Sequence, residues 1–240
     1  MSESSGEPAI PEDVSWQDLD RETRSALRSL PKEMAERVGG HLAMAGILID
    51  DDPTAARAHT DVARRLAGRV AVVREASALT AYACGDFDAA LAELRTFRRL
   101  SGDQRHLPLM ADCERGLGRP ERALELAASP DAVGLPADIA RELRIVVAGA
   151  RLDLGQLDAA LAHLEADPAI AANGGPRAQT GRTASPTDPS VLRLRYAYAD
   201  TLLRLDRRAE AREVFEAVAA LDQAGATDAS DRVSELELPT

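Results

Sequence analysis

A chain of 240 residues could enclose one large core or two small ones, but 45% of it is apolar and only 3% aromatic, so its interior must be built from Ala, Leu and Val. That composition favours close-packed helices over a sheet. A net charge of −11 repels phosphate backbones and so disfavours a nucleic-acid role, and two cysteines without CxxC spacing give neither a disulfide framework nor a zinc site.

The opening MSESSGEPAIPEDV has neither a basic region nor an apolar run. Nowhere does the chain approach the roughly 18 apolar residues of a membrane span. Neither export nor membrane insertion is expected, and the cytoplasm fits. Residues 1–14 read as a disordered tail, too polar to repay ordering. Residues 15–36 read as an N-terminal capping helix: Ser15 suits an N-cap, and Trp16, Leu19, Thr23, Leu27 and Leu30 share one face until Pro31.

From there one segment recurs. GDFDAALAEL at Gly85 returns as GRPERALELA at Gly118, GQLDAALAHL at Gly155 and DRRAEAREVF at Asp206, with a weaker copy, DDPTAARAHT, at Asp51. Successive anchors are 34, 33, 37 and 51 residues apart. A period near 34 predicts stacked helix-turn-helix repeats. Each repeat carries a small residue on its second helix (Ala56, Ala90, Ala123, Ala160, Ala211), and four carry one on the first (Ala78, Ala111, Ala148, Ala199). Met44 takes that place in repeat one. The long interval before Asp206 is filled by residues 167–188, rich in Gly, Pro, Ser and Thr, which read as a loop inserted before the last repeat. After the array, 223–240 reads as a tail.

This pattern resembles the tetratricopeptide repeat (TPR) family, with GDFDAAL and GQLDAAL the nearest matches and the family's hallmark tryptophan missing. The resemblance spans 37–222 and extends to small divergent TPR-like proteins of actinobacteria. It implies an all-α, right-handed α-solenoid of about five repeats behind the N-terminal cap. It also implies a groove lined by the first helix of each repeat, which would receive a peptide or partner helix. Counting along the repeats places His41, Leu48, Glu75, Leu79, Tyr82, Arg105, Asp112, Arg115, Glu142, Leu152, Tyr196 and Asp200 in that groove. Tyr and Arg are common binding hot spots, which singles out Tyr82, Arg105, Arg115 and Tyr196; the competing reading pairs Arg115 with Asp112 or Glu142 inside the array. The lysines and asparagines of a chaperone carboxylate clamp are nearly absent from these places.

Other clusters have plain structural readings. Asp50, Asp51 and Asp52 precede a helix, where carboxylates cap, and no calcium-loop pattern follows. Arg64, Arg65, Arg69 and Arg74 suit a solvated face paired with acids such as Asp61 and Glu75, and Cys84 and Cys113 suit small buried positions. The four histidines are scattered along the array without ligand spacing, and GxSxG, GxGxxG and GxxxxGK[ST] do not occur. The expectation is therefore a non-catalytic protein-interaction scaffold with no metal or cofactor. The alternative is a helical-repeat RNA-binding protein, which the acidic balance and the scarcity of aromatics oppose.

Overall fold

In the computed structural model, which describes residues 6–171 and 184–237, four of the five repeated anchors are sharp turns between two packed helices. Gly85, Gly118, Gly155 and Asp206 have φ of 73°, 70°, 72° and 61°, the left-handed region where glycine carries no steric penalty. Each turn closes in the same way. Asp86 N–H donates to Ala81 O at 2.9 Å, Arg119 to Glu114 at 2.9 Å, Gln156 to Arg151 at 2.8 Å and Arg207 to Leu202 at 3.0 Å. At the first anchor the chain turns without a left-handed residue, and Asp52 caps the next helix by accepting from Ala55 N–H at 3.0 Å.

Two units divide the chain, Met1–Gln104 and Arg105–Thr240. The first holds α1 (Arg21–Leu27) and the helix pairs α2 (Lys32–Leu48)/α3 (Pro53–Ala67) and α4 (Ala71–Ala83)/α5 (Phe87–Ser101). The second holds α6 (Leu107–Gly116)/α7 (Pro120–Ala127), α8 (Ala137–Asp153)/α9 (Leu157–Glu165), the short α10 (Pro168–Ala171), α11 (Pro189–Arg204)/α12 (Arg208–Leu221) and α13 (Ala229–Glu237). The five expected pairs are present, two in one unit and three in the other, and no strand occurs among the described residues. Small side chains are what let the pairs close: Ala56, Ala90, Ala123, Ala160 and Ala211 are all 0% exposed, and Ala78, Ala111, Ala148, Ala199 and Met44 are buried too.

Expectations for three regions, the N-terminal stretch, the insertion and the last segment, are corrected. Residues 6–14 are not a loose tail; they lie on α2, where Glu7 meets Arg37 and His41, while residues 1–5 fall outside the described set. The cap is also broken in two. Ser15 begins a 3-10 turn, Trp16–Asp18, through a reciprocal bond with Asp18, and Asp20 starts α1 by accepting from Thr23 N–H at 2.9 Å. Second, the expected insertion opens with structure. Pro168 starts α10, Ile170 is buried beside Ala148, Leu164 and Leu194, and Asp167 sits 3.5 Å from Arg144 Nε. The buried Arg195 closes this helix by donating to Ala169 O from Nη2 at 3.2 Å, and residues 172–183 of the insertion lie outside the described set.

Third, the expected tail contains α13. Its Ala229, Val233 and Leu236 follow helical spacing and pack on α12 with Phe215 and Val218. Of the basic stretch, Arg64 pairs with Asp61 as expected, and Arg74 pairs with Glu93 at 2.7 Å and donates to Gly68 O. Cys113 is fully buried, which pushes its thiol up to about 12, and Cys84 is half-buried in the other unit.

Candidate functional site

The first helices of the three pairs in the second unit, α6, α8 and α11, surround a cavity of about 470 Å³. Its floor is apolar because the inward positions carry small or aliphatic residues: Ile145, Ala148 and Leu152 from α8 and Ala197 from α11. Gly149 matters for a different reason. A Cβ there would stand 2.5 Å from Arg115 Cζ, so the bare backbone lets the Arg115 guanidinium cross from α6 over α8. At the far side it reaches Asp153 (Nε to Oδ2, 2.8 Å), while Nη1 donates to Asp112 on its own helix at 2.8 Å.

Ion pairs form the rest of the rim. Arg193 donates from Nε and Nη2 to Glu142 Oε1 at 2.8 and 2.6 Å, tying α11 to α8. Asp200 accepts from Arg204 at 3.2 Å and from Arg232 of α13 at 3.4 Å. The Tyr196 ring meets Phe215 edge-on at 5.1 Å, and Arg232 lies 5.7 Å from the same Phe215 ring. Burial, and then the bond to Asp228, pushes the Tyr196 hydroxyl up to about 12, so it stays protonated and donates. The last wall is the connection from α12 to α13. Asp222 holds it by accepting from Ala226 N–H and Thr227 N–H, both at 2.7 Å, and those bonds lower its own pKa.

Of the twelve residues placed in the groove by counting, Arg115, Glu142, Leu152, Tyr196 and Asp200 line this cavity together, and Asp112 stands behind Arg115 as its ion partner. Arg115 thus pairs with Asp112, as the competing reading held, but its second partner is Asp153 and not Glu142. Arg105 is half-buried in the turn that leads into α6, away from the cavity lining. In the first unit Glu75, Leu79 and Tyr82 are half-buried on α4, with Tyr82 edge-on to Phe87 at 5.6 Å. His41 is a correction. Its side chain is 1% exposed beneath Glu7, bonded at both ring nitrogens, and leaves no surface for a partner.

Counting missed Arg193, Arg204, Asp228 and Arg232. The first two sit on α11 at three- and four-residue steps from Tyr196 and Asp200, a signal the sequence did carry. The last two belong to the segment read as a tail.

No family model matches the sequence, and no curated protein matches it. Among solved structures, the chain is similar to a crystal structure of nearly identical TPR-like repeats from a putative kinesin light chain of Podosopora anserina. The TM-score is 0.57 at 19% identity, over 84% of this chain and 97% of that one. With its five helix pairs and repeated left-handed turns, the chain has the fold of an all-α, TPR-like helical-repeat protein.

Proposed function

We propose that the chain is a non-catalytic interaction scaffold, and that the cavity between α6, α8 and α11 receives a segment of a partner protein, a peptide or a helix. The observation that carries this reading is the pairing of an apolar floor with a rim whose charges are already matched: Arg115 with Asp112 and Asp153, Arg193 with Glu142, Arg204 and Arg232 with Asp200. Exposed ion pairs of this kind add little affinity. Binding energy comes from an apolar anchor side chain that displaces water from Ile145, Ala148, Leu152 and Ala197, with Tyr196 beside it.

The test begins with partners cross-linked in the native host and identified by mass spectrometry. A recovered partner is then titrated against the wild type, Ala197→Glu and Arg122→Ala, the last on the exposed surface of α7. Ala197→Glu sets a carboxylate on the apolar floor and should weaken binding tenfold or more, whereas Arg122→Ala should bind as wild type. Equal affinity for Ala197→Glu and the wild type would overturn the assignment.

A further inference from the structure

The first unit holds chemistry that no interaction role uses. His41 of α2 and His59 of α3 are 1% and 3% exposed, and their Nδ1 atoms face each other at 2.9 Å. The other nitrogen of His41, Nε2, lies 2.8 Å from Oε1 of Glu7, whose carboxylate Arg37 also holds through Nε and Nη2. Glu7 belongs to the segment 6–14, which meets α2 at Gly40, and the 3-10 turn that follows it meets α2 at Gly39. A Cβ on Gly40 would stand 3.0 Å from Ile10 Cδ1, and one on Gly39 would stand 2.4 Å from Trp16 Cβ.

A 2.9 Å contact between two ring nitrogens has room for one hydrogen. With both rings neutral, His41 donates Nε2–H to Glu7 and accepts at Nδ1 from His59. With one added proton on His41, its Nδ1–H donates to His59 and its charge faces the Glu7 carboxylate. A second added proton leaves both Nδ1 atoms as donors, so two N–H groups and two like charges oppose each other across the contact. We propose that the His41–His59 pair is an acid-released latch: it tolerates one added proton, and the second parts the rings and frees segment 6–14 from α2.

The segment is the side that yields. His59 lies on a helix held between α2 and α4, whereas His41 is covered by segment 6–14, which is anchored through the exposed Glu7–Arg37 pair. Burial first, and then the charge of His41, lower the His59 pKa from its ordinary value of 6.5. Several charged and polar groups on the packed elements bond elsewhere. On α3, Arg57 is bonded to Asp86 and Arg64 to Asp61; on α4, Thr80 is bonded to Thr60 and Arg74 to Glu93. Asp18 of the 3-10 turn caps Ser15, Asp20 caps α1, and Lys32 faces Glu36 at the start of α2. Among the described residues, Glu7 is the carboxylate bonded to the pair.

The folded state binds fewer protons than the unfolded one below pH 6.5, so the latch is closed above that value and opens as pH falls through the lowered His59 pKa. Nuclear magnetic resonance of the full chain tests this through the histidine ring carbons and the Ile10 Cδ1 methyl, between pH 7.5 and 4.5, with helicity followed in parallel. The Ile10 methyl should move to its free position with the midpoint of His59, at constant helicity, the bound-to-free ratio falling about tenfold per pH unit below it. In His59→Asn, which can donate to His41 but does not titrate, Ile10 should stay bound throughout. In Glu7→Gln the methyl should already be partly free at pH 7.5. An Ile10 methyl that stays in place in the wild type while His59 titrates would overturn the proposal. So would a shift in His59→Asn with the wild-type midpoint. Should that variant fail to fold, the match between the two wild-type midpoints decides.

Discussion

Gly149 and Arg115 offer a quantitative check on how the candidate site is held, through Gly149→Ala made in the wild type and in Arg115→Ala. In an ordinary helix interior this change stabilises by about 1 kcal/mol, because alanine loses less conformational freedom than glycine. Here the new methyl would stand 2.5 Å from Arg115 Cζ. Carbon atoms need about 3.5 Å, so the guanidinium must retreat by about 1 Å. That stretches both of its 2.8 Å bonds, to Asp153 and Asp112, beyond useful length. The groups are partly exposed, 26% for Arg115 and 40% for Asp153, so each lost pair costs only about 0.2–1 kcal/mol. Gain and loss nearly cancel in the wild type, whereas in Arg115→Ala the gain of about 1 kcal/mol should appear in full. Denaturant midpoints of the four proteins measure the coupling. Equal effects of Gly149→Ala in both backgrounds would refute the placement of Arg115 across α8.

Gly155→Ala should destabilise by about 1 kcal/mol although its Cβ would meet no atom within 4 Å, because φ is 72°; Asp206→Gly, at φ 61°, should raise the denaturant midpoint, and the opposite pair of signs would contradict the turn geometry. His163 is held down to about 4 by burial first and then by Arg144 and Arg151, so the unfolded chain binds its proton first. Stability of the second unit should therefore be complete above pH 6.5 and fall towards pH 4, and His163→Asn should flatten that slope in urea titrations read across the range. An unchanged slope would remove His163 as the cause.

The register of the array was legible because it is local. Gly85, Gly118 and Gly155 mark turns that need a left-handed residue, and alanine marks the places where helices touch, so counting from them brought Arg115, Glu142, Tyr196 and Asp200 to one cavity. What failed was non-local. Nothing near Glu7 in the sequence reveals that its carboxylate will meet Arg37 and His41 some 30 and 34 residues on, so a polar stretch read as loose and a groove histidine read as exposed. Arg115 reaches Asp153 across 38 residues, and only the bare Gly149 between them hints at the crossing. At Asp167 the signal was present but ambiguous, since Asp-Pro opens turns and helices alike. The Ala229, Val233 and Leu236 spacing of α13 was readable and was outweighed by the polar residues around it.

The claim that a partner's apolar anchor enters the cavity between α6, α8 and α11 is tested most directly by amide hydrogen exchange of the full chain, alone and with a recovered partner. The account predicts slowed exchange in α8 and α11 and in the 226–228 connection, with α7, α9 and α12 unchanged. Protection confined to α7, α9 and α12, with α8 and α11 exchanging as in the free protein, would contradict it.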